Sequence, residues 1–176
     1  MRFTRFITLL FICSTFVSSA QQINFKNAKY SRERTVDILH YKFNIAINEK
    51  EKSVAGNVTV QFVPLHPNCE VLELDQEGLN ILSAKVGENS LRVYKEAGKI
   101  ILPLDKPYST NDTVRVDVAY NAKPKKGLYF ISPDSSQPQR NWQVWSHGQA
   151  EDNHWWFPCY DAPNDKATVE MIVTVN

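Results

Sequence analysis

Tyr41-Lys42-Phe43-Asn44-Ile45-Ala46-Ile47-Asn48, followed after a polar turn by Val54-Ala55-Gly56-Asn57-Val58-Thr59-Val60-Gln61-Phe62, is the stretch whose pattern decides the fold class. Tyr41, Phe43, Ile45 and Ile47 occupy every second position, with Lys42, Asn44 and Asn48 mostly between them. Successive strand side chains point to opposite faces, so this period of two predicts a half-buried strand. Asn48-Glu49-Lys50-Glu51-Lys52 is too polar to bury and makes a turn, after which Val54, Gly56, Val58, Val60 and Phe62 resume the period. The pair therefore reads as a hairpin. Pro64 and Pro67 end its second strand, because proline has no N–H to give to a ladder.

Outward from that hairpin, Val71–Leu74 is a short strand, and Leu79–Val86 pairs with Leu91–Tyr94 across the turn Gly87-Glu88-Asn89-Ser90. Ile100–Leu104 follows. Val114, Val116, Val118 and Tyr120 alternate again, and Val169–Val175 is a last strand rich in β-branched residues. No stretch offers helical spacing over three turns. The expectation is an all-β chain, folded as a saddle-shaped antiparallel sheet or β-sandwich. Residues 121–140 and 146–168 have no period and carry Pro124, Pro133, Pro138, Pro158 and Pro163, so both read as loops. The second is long for a compact domain, and long ordered loops tend to carry function.

Charge excludes some partners. Of 176 residues, 20 are Lys or Arg and 19 Asp or Glu, which leaves a formal net charge of +1 and no basic footprint for nucleic acid. No membrane contact is expected either. Hydrophobic residues make up 43% of the chain, enough for one core in one domain. Residues 1–20 differ from the rest: Arg2 and Arg5 precede an uncharged apolar run, Phe6–Val17, and Ser18 and Ala20 supply small side chains before a cut at Gln21. This is the pattern of a cleavable signal peptide, and the run is too short to span a bilayer comfortably. The mature chain, 21–176, is expected outside the cytoplasm, in a periplasm or the extracellular space. Cys13 belongs to the removed segment. Cys69 and Cys159 remain, either paired or packed as small buried hydrophobes, the plainer account. Asn57-Val58-Thr59 and Asn111-Asp112-Thr113 fit the glycosylation acceptor pattern, which matters only in a host that glycosylates.

The chemistry-bearing segment is Trp145-Ser146-His147-Gly148-Gln149-Ala150-Glu151-Asp152-Asn153-His154-Trp155-Trp156-Phe157-Pro158-Cys159-Tyr160-Asp161-Ala162-Pro163. Four imidazole and carboxylate residues, His147, Glu151, Asp152 and His154, allow a metal reading. The two histidines are seven positions apart with no helix to align them, a spacing that fits no standard zinc site, and mutual hydrogen bonding within the loop accounts for the same residues. No nucleophile stands beside a base at a recognisable spacing, no glycine-rich phosphate loop is present, and no His-Glu-x-x-His occurs. No catalytic residue is assigned.

Phe157-Pro158-Cys159-Tyr160-Asp161-Ala162-Pro163 with Lys166-Ala167 resembles the Phe-Pro-Cys-Phe-Asp-Glu-Pro…Lys-Ala signature of the gluzincin zinc aminopeptidases, the relatives of aminopeptidase N and leukotriene A hydrolase. Val36-Asp37-Ile38-Leu39-His40-Tyr41, Val54-Ala55-Gly56-Asn57-Val58-Thr59-Val60 and Gly127-Leu128-Tyr129 are similar to further parts of that family's N-terminal β domain. The resemblance implies that residues 21–176 are this β domain, incomplete at the C-terminal end. It implies too that zinc and the catalytic groups belong to a C-terminal catalytic domain absent from this chain. The family residue eight positions before the Phe-Pro-Cys, usually Glu and sometimes Gln, contacts the free α-amino group of a peptide substrate; here that position is Gln149. His147 stands where the family often has Gln and joins Gln149 as a substrate-binding candidate, while Ala162 replaces the Glu of the signature. The rival reading, from another class, is a free-standing secreted β-sandwich that uses its aromatic loop as a contact surface.

Overall fold

The computed structural model describes residues 32–175. The signal-peptide segment 1–20 and Cys13 lie outside the described residues. Eleven strands follow in order: β1 (Val36–Asn48), β2 (Ser53–Pro64), β3 (Cys69–Asp75), β4 (Asn80–Val86), β5 (Asn89–Leu91), β6 (Tyr94–Glu96), β7 (Lys99–Tyr108), β8 (Val114–Ala122), β9 (Leu128–Ile131), β10 (Gln143–Ser146) and β11 (Thr168–Val175). The all-β expectation is met. Among the described residues the helical element is one 3-10 turn, Asn153–Trp155.

Six strands form the main sheet in the order β11-β1-β2-β8-β4-β5, three form a second sheet β3-β7-β6, and β9 and β10 make a hairpin of their own. The period of two in the sequence becomes the two faces of the main sheet. Tyr41, Phe43, Ile45 and Ile47 of β1, Val54, Val58, Val60 and Phe62 of β2, and Val114, Val116, Val118 and Tyr120 of β8 are buried on one side. Their core merges with Leu72 and Leu74 of β3 and Ile100 and Leu102 of β7, so the two sheets close over one apolar cluster. Val36 and Ile38 are also buried although they fall on even positions. A bulge between Ile38 and His40 inserts Leu39 and flips the alternation, which lets one strand keep both sets inside. At Gly56, φ is +149°, and a Cβ there would overlap the Asn44 carbonyl oxygen across the β1–β2 ladder.

Three features depart from the sequence reading. The main sheet is mixed, because β11 runs parallel to β1, with Tyr41 opposite Val169 and Ile47 opposite Val175. Parallel neighbours cannot be joined by a tight turn: all of β2–β10 lies between β1 and β11, and the last part of that connection, the crossover over residues 147–167, brings the chain back beside β1. Second, the segment read as a loop over 121–140 contains β9, whose four residues are too few for a period to show. Third, the expected partner strand Leu91–Tyr94 is divided: β5 stays with β4, and β6 crosses to β7. Along β11, Val169, Met171, Ile172, Val173 and Val175 are all exposed, so both faces of this strand present apolar side chains.

Candidate functional site

The crossover is an ordered segment, and its order begins at the β9–β10 hairpin. Tyr129 and Trp145 stack across the two strands, with ring centroids 4.6 Å apart and planes 21° from parallel. His147 follows, its ring 6.3 Å from that of Trp145. The His147 N–H donates to the Gly127 carbonyl at 2.9 Å, and the Asp152 N–H donates to the Gly148 carbonyl at 3.2 Å. Residues 148–152 are therefore a closed turn with Gln149 at its head. The Gln149–Ala150 peptide bond is cis.

Two glycines allow this turn to sit against the hairpin. Gly127 has φ +75°, and a Cβ on it would overlap the Asp152 carbonyl oxygen and come within 2.7 Å of Trp156 Cδ1. A Cβ on Gly148 would overlap the Asn153 side-chain amide. The Gly127-Leu128-Tyr129 match thus has a physical meaning: side chains cannot separate strand and loop at that point.

Beyond the 3-10 turn, residues 156–161 are buried. Phe43 lies 4.8 Å from Phe157, edge to face, and 5.5 Å from Trp156, stacked; Tyr41 lies 5.6 Å from Phe157, also edge to face. The Tyr160 N–H donates to the Tyr41 hydroxyl at 3.0 Å. Asp75 and Cys159 exchange backbone hydrogen bonds of 2.6 and 3.2 Å, which pins the loop to the end of β3. Phe-Pro-Cys is a hydrophobic plug on the sheet, buried beneath the exposed turn that precedes it.

The polar groups around the plug form a chain. Arg32 Nη1 donates to both oxygens of Asp75, at 2.7 and 2.6 Å. The Asp161 N–H donates to Asp75 Oδ2 at 3.0 Å. Asp161 Oδ2 accepts from both the N–H and the Nδ1 of His154, at 3.0 and 2.7 Å. Burial, and then the Asp161 and Asp75 carboxylates, push the Cys159 thiol well above the usual thiol range. It is a packed thiol and no nucleophile. Cys69 and Cys159 are both unpaired; Cys159 is buried as the plainer account expects, whereas Cys69 is only half-buried.

His147 and Gln149 are exposed on the same turn. They are brought together there, but neither lines the adjacent cleft of about 390 Å³. Their neighbours Ser146 and Ala150 do, opposite Tyr41, Phe43, Trp156 and Met171. The metal reading meets other commitments: His154 is bound to Asp161, and Asp152 pairs with Lys126 at 3.3 Å. Among the described residues no group of three or more His, Cys, Asp or Glu side chains gathers around a common point. The residues present do not fit a zinc site. Sequence reasoning did not foresee the contact of Asn153 with Gly148 or the bonds between His154 and Asp161; an aspartate at 161 inside an otherwise apolar run was the available signal.

Comparison with known proteins places these features in context. The Peptidase M1 N-terminal domain family matches residues 38–176. Transcription initiation factor TFIID subunit 2 of Danio rerio is 26% identical over 147 residues, which cover 75% of this chain and 12% of that protein. Leucine aminopeptidase 2 of Coccidioides immitis is 26% identical over 153 residues, 82% of this chain and 24% of that protein. The crystal structure of an M1 zinc metallopeptidase from Deinococcus radiodurans superposes with a TM-score of 0.67 at 24% identity, over 82% of this chain and 33% of that one. The chain therefore spans a quarter or less of the curated relatives' length and a third of that structure's.

Proposed function

Since the chain belongs to the Peptidase M1 N-terminal domain family, we propose that it forms the substrate-anchoring part of an exported zinc metalloaminopeptidase that removes N-terminal residues from peptides. In this reading the Gln149 side-chain oxygen accepts a hydrogen bond from the substrate's α-ammonium, and His147 shapes the wall beside it. A neutral amide can orient an ammonium through such a bond while giving no charge pairing, so the contact is weaker than a carboxylate's. Zinc and the groups that activate water belong outside the described residues, and this chain's share of the work is to hold the peptide end in register.

The observation that carries the reading is the position of Gln149. It stands exposed at the head of a turn closed by backbone bonds on both sides, eight positions before the buried Phe157. In the full-length protein, Gln149→Ala should remove one charge-assisted contact of about 1.5–3 kcal/mol, lowering kcat/KM on free-amine peptides roughly ten- to a hundredfold. Gln149→Glu should retain or improve it, unless a second carboxylate nearby raises its pKa. An unchanged kcat/KM in a stably folded Gln149→Ala protein sinks the assignment.

Export rests on the pattern of residues 1–20. N-terminal sequencing of the secreted form should begin at or near Gln21; a product retaining Met1 in the cytoplasm contradicts it. A second reading, a binding module with an aromatic contact surface, draws on Trp142 and Trp145, which are 38% and 47% exposed. Chelator-sensitive hydrolysis of aminoacyl arylamides by the full-length protein separates the two, since a pure binding module gives none.

A further inference from the structure

We propose that His154, clamped by Asp161, is the positioning residue that holds the Gln149 turn in place; the proposal rests on the reading of Gln149 as the amine anchor. Three bonds converge on His154. Its N–H and its Nδ1 both reach Asp161 Oδ2, at 3.0 and 2.7 Å, and its carbonyl accepts from the Glu77 N–H at 2.9 Å. A carboxylate oxygen only accepts, so Nδ1 carries the proton.

The clamp is fixed at its far end. The Asp161 side chain is 6% exposed, and Asp161 is tied through its backbone N–H to Asp75, which Arg32 grips on both oxygens. On the near side, Asn153 precedes His154 and packs its amide beneath Gly148, while the Asp152 carbonyl lies against Gly127. Movement of His154 therefore displaces Asn153 and Asp152, and with them the Asp152–Gly148 bond that closes the turn around Gln149. Gln149 is exposed, so its direction is set by this support. A displaced anchoring group loses its bond to the ammonium, which weakens binding of the peptide end and raises KM.

The test uses the full-length protein and three variants, His154→Ala, His154→Asn and Gln149→Ala. Asparagine places a donor nitrogen where Nδ1 stands, so it should restore what alanine loses. In His154→Ala, amide exchange of the peptide covering residues 147–157 should quicken about tenfold or more, with β1 and β2 unchanged. KM for a free-amine peptide should rise about tenfold with kcat within about twofold, and His154→Asn should return both towards wild type. Unchanged exchange in His154→Ala overturns the proposal, as does failure of His154→Asn to restore it. If exchange quickens but KM stays fixed in His154→Ala while rising in Gln149→Ala, the proposal also falls. If exchange quickens, asparagine restores it, and KM stays fixed in both alanine variants, the clamp stands and only the amine-anchor reading fails.

Discussion

Replacing Phe43 with alanine is expected to cost about 3–5 kcal/mol of stability. Phe43 is 2% exposed and belongs to both the sheet core and the loop plug, since its ring meets Tyr41, Trp156 and Phe157. Truncation removes the apolar burial and leaves a cavity walled on one side by a β-strand that cannot collapse into it. The aromatic pairs lost with the ring add further to the cost. Urea unfolding should show a lower midpoint at an unchanged slope, with amide exchange in residues 156–161 quickening more than in β8. A loss below about 1 kcal/mol would mean that the plug does not depend on β1, against the packing described.

Alkaline pH should produce an effect of similar size. Cys159, Tyr41 and Tyr120 are all buried, and burial is the first cause of the upward shift in each. Their folded-state pKa values are raised, so the stability linked to them is present below the unfolded values, about 8.5 for a thiol and 10 for a phenol, and is lost as pH rises beyond those. Above those values the unfolded chain releases protons that the folded chain keeps. Each group then lowers stability by about 1.4 kcal/mol per pH unit, and the three together by roughly 4. Tyr120 gives a clean control, because its hydroxyl is buried without a hydrogen-bond partner. Tyr120→Phe should therefore stabilise the protein by about 1–3 kcal/mol at neutral pH and flatten the alkaline slope by one group's share. A slope unaffected by Tyr120→Phe would show that this hydroxyl titrates in the folded state.

Much of this architecture was legible because burial in a sheet writes itself into the sequence at period two. β1, β2 and β8 could be read directly from Tyr41–Ile47, Val54–Phe62 and Val114–Tyr120, where apolar and polar residues alternate over several repeats. The hairpin β9–β10 could not, because each strand has four residues and its cross-strand stack, Tyr129 on Trp145, is a contact between distant positions. Nor could the direction of β11, since a strand's pattern reports which faces are apolar and is silent on whether its neighbour runs parallel. For the site, the sequence pointed to the crossover and to Gln149 within it through the Phe-Pro-Cys resemblance. It gave no view of the His154–Asp161 clamp, because seven residues with no helix or strand between them carry no rule of proximity, and the two meet only through the 3-10 turn.

The most direct test of the central claim is calorimetric binding of a hydrolysis-resistant peptide with a free N-terminus, compared with the same peptide acetylated, to the full-length protein and to Gln149→Ala. If Gln149 anchors the ammonium, the wild-type protein should prefer the free amine, and Gln149→Ala should erode that preference by about 1.5–3 kcal/mol, roughly ten- to a hundredfold in Kd, with little change for the acetylated peptide. A preference that survives intact in a stably folded Gln149→Ala protein would contradict the account and transfer the substrate contact to another part of the molecule.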